Sequence, residues 1–416
     1  MGSYRLTGRP AVFLLASLIV ALLASSAAPT PLYAIYQARW HFTPITTTVV
    51  FGVYAIAVLA ALLVLGNLSD HVGRRPVLLT AIAVQAASLL IFATASGVPA
   101  LLTARVVQGL STGAALGAIG AAMLDIDRDL GTFVNAVAPG MGTASGVILS
   151  ALAIRFLPDP THLIYLALIG VLALQAAGLA AMRETVGRAP GALASLRPEI
   201  TLPRTLWGPV LTAAPVLFAV WALAGLYAAL GPALVHALTG SGDVVLGGLS
   251  LFVLAASAVV AIIVLRRAPA RVVMATGSLT LAAGVAVTVA AVTEGWTAVF
   301  FAGSAIAGVG FGSGFQGGIR TVVPLAAAHQ RAGVVSLLYV VSYLGLGVPA
   351  VLAGFGVVHG GGLIATTRYY GATVIALAVL ALVSLVRNGP ARVREPARPQ
   401  TYDRQACLER SPSPWL

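Results

Sequence analysis

The chain alternates between long apolar runs and short breaks that are polar or rich in proline and glycine. Twelve runs reach about 20 residues, the length that crosses the hydrocarbon core of a bilayer as a helix. We number them spans 1 to 12. The first six lie near residues 11–36, 45–65, 77–95, 98–123, 132–154 and 162–182, and the second six near residues 207–236, 244–265, 272–292, 296–319, 332–357 and 365–386. The pattern predicts an all-α membrane protein.

The spans divide into two sets of six. Residues 1–182 are predicted to form an N-terminal six-helix bundle and residues 207–386 a C-terminal one, joined by a polar cytoplasmic linker over residues 183–206. Paired arginines follow span 2 and span 8 at matching positions, which indicates a duplicated unit; coincidence in a chain rich in alanine, glycine and leucine is the alternative. Residues 387–416 carry many arginines and prolines and are predicted to form a disordered cytoplasmic tail.

Composition excludes two broad classes of protein. Apolar residue types make up 59% of the 416 residues and charged types only 9%, whereas a soluble domain carries roughly 25% charged residues. An ordinary soluble enzyme and a disordered chain are therefore both excluded. The single cysteine, Cys407, rules out an internal disulfide and a cysteine-based metal site, and we expect no bound cofactor or metal.

The chain has no lysine, and the placement of its 24 arginines predicts the topology. A cytoplasmic N-terminus puts most of them on the cytoplasmic side and leaves Arg39, Arg155 and Arg368 outside. The positive-inside rule therefore favours cytoplasmic termini in a plasma or bacterial inner membrane. Topology and attraction to anionic lipids then explain the net charge of +12 better than nucleic-acid binding does. We expect a monomer.

The N-terminus has features of a cleavable signal peptide, because Arg5 and Arg9 precede an apolar run that reaches small residues near Ala28. The apolar run continues through Ile35, however, which makes it long enough to span a bilayer. We therefore predict an uncleaved first span.

Glycines, arginines and one aspartate fill the loop after span 2. Gly66 and Gly73 permit a tight reversal, and Asp70 would need a positive partner if it were buried between the two halves. Residues 66–75 read G-N-L-S-D-H-V-G-R-R, which resembles G-x-L-x-D-x-x-G-R-[RK], the signature between spans 2 and 3 of the major facilitator superfamily. The resemblance implies that Asp70 faces the start of span 11 as a conformational latch, with Arg74 and Arg75 completing the charge cluster. A solvated turn is the alternative.

Span 4 carries a second signature of the same superfamily. Arg105 is the one ionisable residue well inside a span, where an arginine is expensive and usually faces a cavity or a partner. Together with Gln108, Gly109 and Gly113 it matches the pattern R-x-x-Q-G-x-x-x-G. The resemblance implies that Arg105 and Gln108 take part in proton coupling or substrate contact. Snorkelling of Arg105 toward the outer interface is the alternative.

Small residues recur where helices are expected to pack closely. Three glycines share one face of span 4, namely Gly109, Gly113 and Gly117. Span 10 is so rich in glycine that we expect it to pack tightly, to bend, or both. Span 5 contains Pro139, Gly140 and Gly142, a partial and reversed match to the efflux signature G-P-x-x-G-G. That match favours export weakly, and a simple kink is the alternative.

In the superfamily, spans 1, 4, 7 and 10 contribute most to the substrate cavity. Polar and aromatic candidates for the cavity wall on these and adjacent spans include Tyr33, Asn135, Tyr227, Gln316, Tyr339 and Tyr343. An interfacial aromatic belt is the alternative for the tyrosines. None of the twelve acids lies at mid-depth of a predicted span, so a proton-carrying carboxylate is not evident. Such a cavity suits a neutral, amphipathic or anionic solute.

The resemblance as a whole implies a twelve-helix fold, in which two six-helix bundles related by a pseudo-two-fold axis surround a central cavity. It implies a secondary transporter that works by alternating access, driven by a proton or another ion gradient. Export of a small drug-like or metabolite molecule is the preferred expectation. Alternatives are an uptake permease, an uncoupled facilitator and, remotely, a non-transporting scaffold. No His-Glu-x-x-His run occurs, and we expect no enzyme.

Overall fold

The structure is a computed structural model that describes residues 6–198, 200, 202–327 and 330–388. The described residues contain twelve helices long and apolar enough to cross a membrane, which confirms the all-α class and the number of spans. In the first half they are Arg9–Trp40, Pro44–Leu65, Arg74–Ala93, Val98–Ile126, Arg128–Phe156 and Pro160–Ala180. In the second half they are Trp207–Thr239, Val244–Val264, Ala270–Glu294, Thr297–Val322, Arg331–His359 and Gly362–Arg387. Cys407 and residues 389–416 of the predicted tail lie outside the described residues.

Local sequence explains where several spans begin and end. Spans 2 and 6 start at Pro44 and Pro160. Backbone amides in the first turn of a helix have no helical acceptor, so proline, which has no N–H, costs nothing at this position. The side chain of Asp243 accepts a hydrogen bond from the amide of Val245 and so caps span 8. Span 9 ends at Gly295, whose left-handed backbone stops the helix.

Span 1 consists of two consecutive helices, Arg9–Ala27 and Pro29–Trp40. They meet at Ala28 because Pro29 has no amide hydrogen and interrupts the helical hydrogen-bond ladder. The segment that looked like a signal-peptide end, residues 24–28, is buried in the bundle.

The predicted linker lies against the loop after span 2. It contains two short 3-10 turns, Ala194–Leu196 and Arg204–Leu206, among its described residues. The amide of Ala189 donates to the carbonyl of His71 at 2.9 Å, which fastens the linker to the short helix Leu68–Val72. The chain boundaries of the two bundles, at residues 182 and 207, stay a prediction.

The two halves contact each other chiefly through span 2 with span 11 and span 5 with span 8. We call the end of the bundle that holds Arg74 and Arg266 the arginine-rich end. Near the opposite end, a Cβ added at Gly248 of span 8 would lie 3.3 Å from Cβ of Ala151 in span 5. There Arg155 of span 5 also pairs with Asp243 at the start of span 8, at 3.5 Å.

At the arginine-rich end, spans 5, 8 and 10 leave a cavity of about 770 Å³ between the halves. Its wall includes Arg266, Arg267 and Arg320 from the second half and Asp129 from the first. A smaller cavity of about 170 Å³ lies between the halves at the opposite end, with Tyr33 in its wall. The larger separation of the halves is therefore at the arginine-rich end.

Candidate functional site

Arg105 lies at the centre of a buried polar cluster between spans 1 and 4. Its side chain has no solvent exposure. Nε donates to the Tyr33 hydroxyl at 2.8 Å, and Nη1 donates to the Ser26 carbonyl at 2.8 Å and to Oε1 of Gln108 at 2.7 Å. The structure thus brings Tyr33 of span 1 to Arg105 and Gln108, two residues of the span 4 signature.

The break in span 1 supplies one hydrogen-bond acceptor of this cluster. The Ser25 carbonyl would normally accept from the amide four residues later, but that residue is Pro29. Nε2 of Gln108 donates to this carbonyl instead, at 3.1 Å. Gln108 therefore satisfies a backbone group that the proline leaves without a helical partner.

Aromatic rings surround the Arg105 guanidinium. Its central carbon lies 5.2 Å from the ring centre of Tyr54, 5.5 Å from Phe92 and 5.6 Å from Tyr33. Each such contact contributes roughly 0.5–2 kcal/mol to holding a desolvated cation. Nη2 of Arg105 is buried and has no hydrogen-bond partner among the described residues. The charge is solvated by π-faces and neutral oxygens, and the two N–H donors of Nη2 are left over.

The loop after span 2 forms a second cluster, centred on Arg74. Its buried guanidinium pairs with Asp70, lies 3.3 Å from Oδ2 of Asp125, and donates to the Ser69 hydroxyl at 2.6 Å. Gly73 has a φ of 105°, a left-handed backbone that favours glycine. Gly66, by contrast, is helical with a φ of −56°.

Glu184, from the predicted linker, completes this cluster. Its carboxylate accepts from the backbone amides of Arg74 at 2.8 Å and Arg75 at 3.0 Å. These are the first amides of span 3, which carry partial positive charge and lack helical partners. Sequence reasoning did not select Glu184, because its partners lie about 110 positions away in the chain.

The charged contacts of this loop stay within the first half and the linker residue Glu184. No hydrogen bond or ion pair joins Asp70 to residues 331–333 in the part of the chain that the structure describes. Asp70 instead uses Arg74 as its partner. The latch between Asp70 and span 11 stays a prediction for a different arrangement of the halves.

The other cavity candidates fall into distinct places. Tyr339 and Tyr343 have ring centres 6.4 Å apart on span 11, and Gln316 lines the cavity at the arginine-rich end. Asn135 is exposed and lies beside Gly120 of span 4.

Tyr227 is fully buried in the second half. Its hydroxyl lies 2.8 Å from that of Ser304 and 3.4 Å from that of Thr288, between spans 7, 9 and 10. Tyr227 therefore belongs to the packed core of that half and not to the wall of the cavity at the arginine-rich end.

The glycines of span 4 face span 2. A Cβ at Gly109 would lie 2.6 Å from Cβ of Ala57, and one at Gly113 would lie 2.7 Å from Cβ of Ala61. A Cβ added at Gly117 would lie 3.6 Å from the Cα of Gly66. These backbones approach too closely for side chains at the first two positions.

The glycines of span 5 face two different partners. A Cβ at Gly142 would lie 2.8 Å from Cβ of Leu23 in span 1, whereas one at Gly140 would lie 2.6 Å from Cγ2 of Val259 in span 8. Span 5 remains one helix through Pro139. Gly140 therefore lies on the contact between the two halves.

Comparisons with known proteins identify a family by sequence and a shared fold by structure. The family model described as Major Facilitator Superfamily matches residues 13–267. The structure is similar to the nucleoside transporter NupG, with a TM-score of 0.62 and 14% identity over 90% of this chain and 97% of that one. It is also similar to the human organic anion transporter MFSD10 (TETRAN), with a TM-score of 0.67 and 17% identity over 89% of this chain and 98% of that one. At these identities the two structures show a shared fold.

Proposed function

We propose that this chain, which belongs to the Major Facilitator Superfamily, exports an organic molecule by alternating access. It is a transporter of small solutes rather than an enzyme. The single observation that carries this proposal is the asymmetry between its two ends. The cavity between the halves is about 770 Å³ at the arginine-rich end and about 170 Å³ at the opposite end, where Gly248 lies against Ala151. Opening one end while closing the other is the movement that alternating access requires.

Membrane orientation follows from the arginines. We assign the arginine-rich end, with both termini, to the cytoplasmic side of a plasma or bacterial inner membrane. We propose that the protein is a monomer. Arg266 and Arg267 are exposed there, where they would meet anionic lipid head groups. In this orientation, the cavity opens toward the cytoplasm, as a solute awaiting export requires.

The solute and its driving force are proposed from the site. Arg105 and Gln108 are assigned to substrate contact or coupling, because they form the buried polar centre of the first half. NupG is described as a nucleoside transporter and MFSD10 as an organic anion transporter, and both descriptions name small organic solutes. A proton or other ion gradient is proposed as the energy source on the family resemblance alone, since no acid of the described residues lies at mid-depth of a span. Uptake of a metabolite and uncoupled facilitation are the alternatives.

A flux assay on purified protein in sealed vesicles tests the proposal. Vesicles preloaded with a panel of drug-like and metabolite compounds are followed with and without a pH gradient across the membrane. We expect at least one compound to move faster than in protein-free vesicles and a proton gradient to drive it uphill. Flux of no compound would overturn the transport assignment, and flux that ignores the gradient would favour the facilitator.

The Asp70 latch is proposed to form when the arginine-rich end closes. Asp70 is half exposed and has one charged partner in the present arrangement, so it is free to meet the helix N-terminus of span 11, a contact of about 0.3–2 kcal/mol. Asp70→Asn should leave the protein folded and lower its transport rate several-fold. A rate equal to that of the unaltered protein would contradict the latch.

A further inference from the structure

The buried charge of Arg105 has no acidic counterpart inside the membrane. Among the described residues, every Asp and Glu lies outside the spans or within about one turn of a span end. Removing a charge from water without an opposite charge costs several kcal/mol. Three aromatic rings and three neutral oxygens offset part of that cost. The arrangement leaves the centre of the first half with a positive charge that a bound anion would neutralise.

Further polar atoms without partners lie at the same level of the bundle. Ser111 donates to the Ala81 carbonyl and Ser88 to the Ala104 carbonyl, so these two bonds set the register of spans 3 and 4. Gln85 lies between them on span 3, and both atoms of its buried amide lack a hydrogen-bond partner among the described residues. The same is true of Nη2 of Arg105. Buried polar groups are normally satisfied, so these atoms are available to bind a polar group.

A second aromatic cluster, around Trp221, lies in the second half. The ring of Trp221 lies 5.3 Å from that of Tyr343, 5.9 Å from Phe311 and 5.6 Å from Phe315. Its indole nitrogen is buried and has no acceptor among the described residues. An N–H donor inside an aromatic cluster offers both a stacking surface and one hydrogen bond to a flat organic molecule.

Tyr54 of span 2 belongs to the surroundings of Arg105 and also to a hydrophobic cluster that extends into the second half. Its ring lies 5.2 Å from the Arg105 guanidinium, and it belongs to the same hydrophobic cluster as Tyr343 of the second half. Span 2 is one of the helices through which the halves contact each other. Separating the halves would therefore uncover Tyr54, and with it the path to Arg105.

We infer that the solute is an aromatic organic anion, whose acidic group binds Nη2 of Arg105 and whose ring packs against the cluster around Trp221. This inference rests on the proposed transport function and names its substrate class. A cation is disfavoured because it would face Arg105 without an intervening acid. A neutral molecule would leave the buried charge without a counter-ion.

Binding to the unaltered protein in lipid nanodiscs tests the inference directly. Three ring systems, phenyl, naphthyl and indolyl, are each titrated as a carboxylate, as the matching primary amide and as the matching amine. We expect a carboxylate to bind about tenfold more tightly than its amide, because a charge-assisted hydrogen bond replaces a neutral one. Amines should not bind. An amide or amine that binds as tightly as its carboxylate, or binding of no carboxylate at all, would overturn the inference.

Two variants test the assigned contacts. Arg105→Gln should abolish the preference for carboxylate over amide, while Trp221→Phe, which keeps an aromatic ring, should weaken all carboxylates alike and keep the preference. If Arg105→Gln fails to fold, Arg105→Lys keeps the charge and should retain a reduced preference. If the Arg105→Gln variant kept the full preference for carboxylate over amide, the anion would bind another group, and the proposed site would be wrong.

Flux separates this inference from the transport proposal. Carboxylate binding without flux of any compound would support the site and overturn the transport proposal. Flux of amides or amines without any preference for carboxylates would keep transport and overturn the substrate class.

Discussion

Two buried arginines show how neighbouring residues decide what a charge can do. Arg74 is surrounded by Asp70, Asp125 and Ser69, so its charge is neutralised within the protein. Arg105 is surrounded by aromatic rings and neutral oxygens, so its charge is not. A paired arginine stabilises a local structure, whereas an unpaired one is available to a ligand. The difference lies in two acids, namely Asp70, which is four residues away in the chain, and Asp125, which the packing of span 4 brings to Arg74.

Glu184→Gln should lower the stability of the first half. The carboxylate accepts hydrogen bonds from the amides of Arg74 and Arg75 at the positive end of span 3, and its neutral replacement loses the favourable charge. We expect a loss of about 1 kcal/mol, measured as a lower midpoint of thermal unfolding in detergent.

Glu294→Gln is the matched control for that variant. Glu294 is an exposed glutamate at the last position of span 9, at the opposite end of the bundle. Its replacement should leave the midpoint unchanged within error. Equal midpoints for both variants would show that the bonds of Glu184 contribute nothing measurable.

Glycine allows individual spans to pack against several neighbours at once. Six glycines of span 10 approach three different helices. Gly308 and Gly312 face span 8, Gly310 and Gly317 face span 9, and Gly314 and Gly318 face span 7. Span 10 remains one continuous helix, Thr297–Val322, despite the low helix propensity of glycine. The glycine content predicted that span 10 would pack tightly, bend, or both. The structure shows close packing on three sides.

Gly113→Ala should destabilise the contact between spans 4 and 2, whereas Gly117→Ala should not. The added methyl group would lie 2.7 Å from Cβ of Ala61 in the first case but 3.6 Å from the Cα of Gly66, an ordinary contact, in the second. Overpacking of this kind costs about 1–3 kcal/mol. Unfolding in a detergent series would measure the difference, and equal stabilities would contradict the close approach.

At the scale of the whole molecule, the two halves form an asymmetric pair. Close contacts and the pair Arg155–Asp243 hold the arginine-poor end together, while the cavity separates spans 5 and 8 at the arginine-rich end. An exposed ion pair contributes at most about 1 kcal/mol. This ion pair is therefore weak enough to break during a transport cycle.

A disulfide between spans 5 and 8 should trap this arrangement. The variant combines Ala151→Cys and Gly248→Cys in a background with Cys407→Ser. A Cβ added at Gly248 lies 3.3 Å from the Cβ of Ala151, which is about the separation that a disulfide requires. Oxidation should stop flux, and a reductant should restore it. The two single-cysteine variants are the controls. Full flux in the oxidised double variant would show that these ends need not separate.

The sequence alone determined the number of spans, the arginine asymmetry and the two signatures, because each depends on composition or spacing within a single stretch of chain. Tertiary structure decided which face each residue meets. Tyr33 and Tyr227 read alike as tyrosines on apolar spans, yet one contacts Arg105 and the other lies in the core of the second half. A span that is apolar all round carries little periodic signal for its orientation, and the partners of Arg105 and Glu184 are distant in the chain. Only the packing of the helices could bring them together.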